Sequence, residues 1–179
     1  PYYNSGSGNP PYSVIQNGLQ SIGTKAVKSV SANKDFIYFL GSDLQVYRVS
    51  GIQSQAIGNP SIGQAIAEYT NTSTAIGVCF SFHNQNFYML TFPNEATWLF
   101  SEGAGWTNLS YGVSGATSLI NSYQRVYNKH LVADRRNGNI YELDFDTFTD
   151  NGDTIIRQRD TSRLTGSQFG AAGKELFME

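Results

Sequence analysis

The hydrophobic and polar positions of this chain repeat one plan three times: an apolar run, a short polar turn and a second apolar run. The three copies are "KDFIYFLGSDLQVYRVSG" (34–51), "QNFYMLTFPNEATWLFSEGAGW" (85–106) and "NKHLVADRRNGNIYELDFD" (128–146). The second copy turns at Pro93-Asn94-Glu95 and the third at Asn137-Gly138. Because Asn-Gly between apolar runs is a strong hairpin signal, each copy predicts an antiparallel pair of strands.

A further apolar segment precedes and follows each hairpin, so each unit contains four candidate strands. The preceding segments are "TKAVKSVSA", "TAIGVCFSF" and "GATSLINSY", and the following ones are "SQAIG", "WTNLSYG" and "DTIIRQR". Tyr47, Trp98 and Tyr141 hold corresponding positions and lie 51 and 43 residues apart, close to the roughly 40–50 residues of known propeller repeats. Four strands followed by a return to the start is the plan of a propeller blade. We therefore predict an all-β, β-propeller-like fold with about three four-stranded blades; a plain antiparallel sandwich of similar hairpins is the alternative.

The predicted organisation is an extended N-terminal arm followed by the blades. Residues 1–23 are rich in proline and glycine and form the arm. The blades occupy residues 24–179, in units of about 24–58, 73–112 and 115–160. We expect these apolar residues of the units to be mostly buried: Leu40, Val46, Phe87, Leu90, Trp98, Leu131, Ile140 and Leu143.

One segment has the periodicity of a helix. In "NPSIGQAIAEYTNT", Ser61 precedes Gln64 by three residues, which is a capping box. The apolar residues that follow recur at helical spacing along one face. We predict one short helix over residues 61–70, inserted between the first and second units.

Composition and charge fit a β-rich protein and exclude several classes of partner. Charged residues make up 15% of the chain, against about 25% in an average soluble domain. Aromatic residues make up 13%, and the net charge is −2. This balance predicts no sequence-specific nucleic-acid binding and no membrane partner. The single cysteine, Cys79, excludes an internal disulfide.

The stretch "DFDTFTDNGDTIIRQRD" (144–160) is the most acidic candidate for a site. It does not match a calcium EF-hand loop, because positions that need an oxygen ligand and a glycine hold phenylalanine and threonine. The segment "TDNGDTI" is similar to the Asp-box turn of sialidase-type propellers, through Asp150, Gly152 and Thr154. That box normally opens with serine or threonine, where this chain has Phe148, and it ends with an aromatic residue.

We interpret Asp150, Gly152 and Thr154 as a structural turn, since aspartate can accept backbone N–H groups and glycine can adopt a positive φ. Two alternatives remain: an adventitious cation site, and a pair of catalytic carboxylates such as Asp144 and Asp146, which would share one strand face.

No other catalytic, cofactor or metal-binding set is visible, so we predict that the protein is not an enzyme. His83 and His130 have no metal-binding partner two or four residues away. Cys79 lies in the apolar run "IGVCFSF", which is typical of a buried thiol rather than a nucleophile. Trp98 and Trp106 could stack on sugars, but aromatic residues in such hairpins belong more often to the core.

Basic residues are concentrated in two places. Arg135 and Arg136 lie on a predicted hairpin turn, and Arg157, Arg159 and Arg163 lie near the end of the chain. Solvated loop charges are the simple interpretation. As a functional hypothesis, we assign Arg135 and Arg136 as a possible contact with a partner.

Several segments, in their order along the chain, resemble one known family. They are "GTKAVKSVSANKDFIYFLGSDLQVYRVSG", "NPSIGQAIAEYT", "TFPNEATWLFSEGAGW" and, most specifically, "GNIYELDFDTFTDNGDTIIRQRDT". The resemblance is to the packaged-DNA stabilisation proteins, the tail accessory factors of short-tailed phages, and it spans most of residues 10–178. Members of that family are longer than this chain. The chain begins without an initiator methionine and ends in a strand-like pattern, so we expect a fragment of a longer propeller.

The resemblance implies a non-enzymatic virion protein of the phage tail, synthesised in the host cytoplasm. It implies a place in the tail hub below the portal, where the protein helps to close the DNA exit channel. The implied partners are other tail and portal proteins, within a symmetric ring. A carbohydrate-binding or sialidase-like propeller fragment is the alternative, motivated by the Asp-box similarity.

Overall fold

Antiparallel strands make up most of the regular structure of the computed structural model, which describes residues 2–15, 21–112, 114–144 and 146–158. In chain order, the elements are β1 (Tyr2–Asn4), β2 (Tyr12–Val14), β3 (Ser31–Ala32), β4 (Ile37–Leu40), β5 (Val46–Ser50), β6 (Gln53–Ala56), α1 (Pro60–Glu68), β7 (Ile76–Phe82), β8 (Gln85–Phe92), β9 (Ala96–Ser101), β10 (Gly105–Tyr111), β11 (Ala116–Thr117), β12 (Ile120–Val126), β13 (Lys129–Asp134), β14 (Ile140–Glu142), β15 (Thr149–Asp150) and β16 (Asp153–Thr154).

Three meander sheets follow one another along residues 31–142. The first sheet has the order β3-β4-β5-β6, the second β11-β10-β9-β8-β7 and the third β12-β13-β14. Each strand pairs antiparallel with its neighbour in sequence, which is the arrangement within propeller blades. The prediction of an all-β fold with one short inserted helix is confirmed.

Two-residue turns with left-handed backbone close the hairpins of the second and third sheets. His83 and Asn84 join β7 to β8 at φ 47° and 62°, and Tyr127 and Asn128 join β12 to β13 at φ 48° and 64°. Two consecutive positive φ angles characterise the turn whose twist matches that of the flanking strands. These turns fix the register of both hairpins.

The predicted Asn-Gly turn is in the right place but has a different form. A five-residue loop, 135–139, joins β13 to β14, and the N–H of Asp134 donates to the carbonyl of Asn139 at 3.0 Å. Within this loop the side chain of Asn137 accepts from the N–H of Asn139 at 2.8 Å. The asparagine therefore acts through its side chain rather than as half of a two-residue turn.

The first predicted strand of the first unit is mostly a helical turn. Residues Val27–Ser29 form a 3-10 turn, and only β3 is extended. The hydroxyl of Ser29 donates to the carbonyl of Ala26 at 2.7 Å and accepts from the N–H of Leu40 at 3.0 Å. A side-chain hydroxyl thus takes the place of a ladder hydrogen bond here.

The third sheet has three strands in the described part of the chain, so the predicted fourth strand is wrong there. Instead of pairing with β14, β16 pairs with β15. Asn151 and Gly152 between them lie at φ 53° and 94°, which closes a local hairpin. The tight turn folds this segment back on itself before it can reach the sheet.

Helix α1 has a different N-cap from the predicted capping box. The side chain of Asn59 accepts from the N–H of Ile62 at 2.9 Å, and Pro60 occupies the first helical position. Asparagine is among the preferred N-cap residues, and proline suits the first turn because its missing N–H needs no partner. Ser61 therefore lies inside the helix, and Ile62 and Ile66 are buried.

The main core lies between the first sheet, the second sheet and α1. Its central contact is the stacked pair Tyr38 and Tyr88, with ring centroids 4.9 Å apart. The hydroxyl of Tyr88 donates to the carbonyl of Ser29 at 2.8 Å, so this buried polar group is satisfied. The buried cluster comprises Ala26, Tyr38, Leu40, Val46, Ile62, Ile66, Ala75, Tyr88, Leu90 and Phe92.

Burial agrees with the expected core at most positions but not at one. Leu40, Val46 and Leu90 are fully buried, and the other expected residues except Ile140 are half-buried. Ile140 is 67% exposed, because it lies on the edge strand β14, which has a partner on one side only within the described residues.

The N-terminal segment is a hairpin rather than an extended arm. Strands β1 and β2 pair antiparallel, with Tyr2 opposite Val14 and Asn4 opposite Tyr12. The turn between them is polar and contains Gly6 and Gly8 at positive φ. The large side chains of this hairpin remain exposed.

Candidate partner-binding surface

The two sites predicted from the sequence lie side by side. The guanidinium of Arg136 lies over the ring of Tyr111, 5.1 Å from its centroid. The hydroxyl of Tyr111 donates to a carboxylate oxygen of Asp153 at 2.7 Å. Tyr111, at the end of β10, therefore joins the arginine loop to the β15–β16 turn. We call Tyr111, Asp134, Arg136, Asp150 and Asp153 the Arg136 cluster.

Asp134 is the buried centre of this cluster, with a residue exposure of 5%. Its carboxylate accepts from the N–H of Arg136 at 2.7 Å, and the guanidinium of Arg136 lies 3.3 Å away. Asn137 also donates to it, at 3.3 Å. The backbone hydrogen bond from Arg136, followed by its guanidinium, lowers the pKa of Asp134. The site thus holds a charged carboxylate that is compensated by the arginine.

The two arginines have different environments. Arg136 is already engaged with Asp134 and Tyr111, although about half of its side chain is exposed. Arg135 donates its backbone N–H to the carbonyl of Leu119 at 2.9 Å. Its Nε is buried and has no hydrogen-bond acceptor among the described residues. Arg135 therefore carries a buried donor that has no acceptor in the described part of the chain.

The predicted turn lies on the β15–β16 hairpin: Asp150 ends β15, Gly152 lies in the turn and Thr154 ends β16. Asp150 lies opposite Asp153, and Gly152 lies at φ 94°. Partial removal from water raises the pKa of Asp150, and the nearby charge of Asp153 raises it further. Asp144 and Asp146 lie in the preceding loop, where Asp144 accepts from the N–H of Asp146 at 3.3 Å and from the hydroxyl of Thr147 at 3.2 Å.

A groove of about 470 Å³ lies beside the cluster, between β10, the third sheet and the β15–β16 hairpin. Residues of β14 and of the β15–β16 hairpin both line it. Apolar side chains line it, among them Leu109, Leu119, Val132, Leu143, Ile155 and Ile156. Carboxylates of Asp134, Glu142, Asp144 and Asp150 also line it. We call this cavity the groove; it offers apolar surface with acceptor oxygens around it.

The other candidate residues are engaged in packing. The Nδ1 of His130 lies 2.7 Å from the hydroxyl of Tyr123, and the ring contacts Phe82 edge-on with centroids 4.6 Å apart. His83 occupies the β7–β8 turn. Cys79 is half-buried, and burial raises the pKa of its thiol to about 11. Such a thiol stays protonated at neutral pH and is a poor nucleophile.

Both tryptophans are tied into the interior. The indole N–H of Trp98 donates to the hydroxyl of Tyr69 at 3.0 Å, and that of Trp106 donates to the carbonyl of Ile57 at 2.7 Å. Both pack against the main core. Their hydrogen-bonding groups are therefore used inside the molecule rather than offered to a sugar.

Within the described parts of residues 2–158, no group of three or more His, Cys, Asp or Glu side chains is arranged so that it could hold a metal ion. The described helices include none with the length and apolar character needed to cross a membrane. Arg157 is exposed, whereas Arg159 and Arg163 lie outside the described residues.

The sequence interpretation missed Tyr111 and Asp134 as members of the site. Asp134 is the last residue of a strand and is followed by two arginines, so an ion pair between these neighbours could have been predicted from the sequence. Tyr111 lies 42 residues before Asp153 in the chain, and nothing local connects the two residues.

Comparisons with known proteins identify the family. No curated protein matches the sequence significantly. A family model described as bacteriophage P22 Gp10, β-propeller, matches residues 2–148. The match covers all three sheets, and it agrees with the strand pattern and with the resemblance found in the sequence. The chain therefore belongs to this family of phage DNA-stabilisation β-propellers, which are structural proteins of the virion.

Proposed function

We propose that the protein is a component of the phage tail hub, where it helps to close the portal channel and so retains the packaged DNA. The observation that carries this proposal is the family match over residues 2–148. In the described site the buried carboxylate of Asp134 is compensated by Arg136. Elsewhere, burial raises the pKa of the Cys79 thiol to about 11, which makes it a poor nucleophile. These features favour a structural protein over an enzyme.

Location within the particle tests this proposal. Particles would be assembled with and without the protein and compared by electron microscopy. The proposal expects density that depends on the protein in the tail hub, directly below the portal. Density only in the capsid wall, or none in the finished particle, would contradict it.

Contact with other tail and portal proteins, within a symmetric ring, is part of the same proposal. Repeating sheets bury their faces against neighbours, and exposed strand edges pair with further strands. In the described structure β14 is such an edge. The loop that carries Arg135 and Arg136 lies next to this strand, so it would reach a partner that docks there.

Charge reversal separates a contact role from a structural one. Arg135→Glu should reduce incorporation of the protein into particles while the protein still folds. Arg136→Glu should lower the melting temperature as well, because it places a second negative charge beside the buried Asp134. Lys34→Glu, at an exposed position of the first unit, is the matched control. Normal incorporation of the Arg135→Glu protein would place the contact elsewhere.

A further inference from the structure

The N-terminal hairpin β1–β2 presents an apolar face that nothing in the described chain covers. Tyr2, Tyr12 and Val14 are 71%, 62% and 61% exposed. The register places them on the same face, because Tyr2 lies opposite Val14 and Asn4 lies opposite Tyr12. A two-stranded hairpin is marginally stable in water unless it packs against another surface. This hairpin therefore needs a partner surface.

The chemistry of the hairpin restricts that partner. Residues 2–15 contain no charged side chain, so the hairpin itself brings no charge that docking would remove from water. The tyrosine hydroxyls are the strongest donors available on the apolar face. A complementary surface should therefore be apolar and should carry acceptor oxygens that a tyrosine can reach.

The groove has these properties. Its apolar lining is accompanied by the carboxylates of Glu142, Asp144 and Asp150. Its volume of about 470 Å³ lies within the roughly 300–1,000 Å³ of sites that enclose ligand-sized groups. Tyr111 and Asp153 already make a tyrosine-to-carboxylate hydrogen bond of 2.7 Å next to it.

The open edge of β14 matches the hairpin in length as well. β14 has three residues and pairs only with β13 among the described strands. β1 and β2 also have three residues each. An exposed edge binds an added strand through backbone hydrogen bonds, and pockets beside it receive the alternate side chains.

We propose that the N-terminal hairpin of one copy docks on the β14 edge of a second copy, with its Tyr2, Tyr12 and Val14 face in the groove. The contact joins two different surfaces, and repeated contacts of this kind close into a ring when the rotation permits. The inference rests on the proposed ring assembly and names the surfaces that build it.

Disulfide trapping between two distinguishable chains tests the contact. Both chains carry Cys79→Ser and different affinity tags. One chain carries Tyr12→Cys and the other carries Ile156→Cys. Docked cysteines have an effective concentration in the millimolar range, so the mixed disulfide should exceed that of a control pair by about tenfold or more. The control pairs Tyr12→Cys with Val27→Cys, whose position is 82% exposed. Melting temperatures would show that each variant folds.

Each outcome bears on the proposal. Selective trapping of the two chains supports it. Equal trapping with the control pair overturns it, and so does a disulfide within one chain that carries both Tyr12→Cys and Ile156→Cys. Electron microscopy of the same samples distinguishes the hairpin contact from the ring assembly. Rings without selective trapping would overturn the hairpin contact and leave the ring assembly standing. Selectively trapped pairs without rings would support the hairpin contact and overturn the ring assembly.

Discussion

At the residue scale, the turn at Ser29 packs tightly against Gly77 on the strand β7. The carbonyl of Ser29 receives the hydroxyl of Tyr88 at 2.8 Å. A Cβ atom built on Gly77 would lie 2.1 Å from the same carbonyl oxygen. Glycine is required at this position because backbone, which cannot move aside cheaply, occupies the space of a side chain.

Gly77→Ala should therefore destabilise the protein by about 1–3 kcal/mol or more, as overpacking of a tight interior does. Gly103→Ala is the matched control, since a Cβ there would meet nothing within 4 Å. Urea denaturation of both variants measures the difference. Equal stability of the two variants would show that the first and second sheets are less closely packed than described.

Asp134 should make stability depend on acid pH. Its pKa in the folded protein is lowered, chiefly by the N–H of Arg136. The stabilisation is therefore complete above the unfolded carboxyl pKa of about 3.9 and is lost as the pH falls through the lower folded value. The raised pKa of Asp150 acts in the opposite direction. Asp150 is present both in the wild type and in the Asp134→Asn variant with which it is compared below.

Denaturation of the wild type and of Asp134→Asn between neutral and acid pH measures this contribution. The stability difference between the two proteins should shrink as the pH falls. A difference that stays constant over the whole range would mean that Asp134 does not lose stabilising interactions on protonation.

At the scale of elements, local turn chemistry decides where strands and helices begin and end. Helix α1 begins at its cap: the side chain of Asn59 satisfies the N–H of Ile62. The β15–β16 hairpin exists because Asn151 and Gly152 adopt positive φ angles. In both cases one or two residues override the pattern of the surrounding segment.

The cap of α1 can be tested directly. Asn59→Ala should lower stability by about 1 kcal/mol, within the range of roughly 0.5–2 kcal/mol for lost N-caps. Ser61→Ala should change stability little, because Ser61 lies within the helix. Thermal melts of the two variants give the comparison. A larger loss for Ser61→Ala would restore the capping box as the start of the helix.

The elements also show which parts of the structure the sequence could predict. Alternation and apolar runs placed the hairpins of all three sheets, because those signals depend on adjacent residues. The turn at Val27–Ser29 was missed because it depends on a hydrogen bond between Ser29 and Leu40, eleven residues apart. In the candidate site, the Arg135–Arg136 loop and the Asp150 turn could be found separately. Their connection through Tyr111 could not, because it arises only when the second and third sheets pack.

At the scale of the whole molecule, neighbouring sheets are joined by aromatic contacts. Tyr38 stacks on Tyr88 between the first and second sheets, and Phe80 contacts Tyr123 between the second and third, with centroids 5.3 Å apart. Successive sheets that bury aromatic faces against each other make a scaffold, whose exposed edges and loops remain available for partners. This architecture suits a structural role in a particle.

DNA retention in assembled particles tests the central claim most directly. Particles of the encoding phage would be filled with DNA in the absence of the protein and then treated with a nuclease, with and without purified protein added beforehand. We predict that DNA in particles lacking the protein is released and digested, and that adding the protein before the nuclease restores protection. Full protection without the protein would contradict a role in retaining packaged DNA.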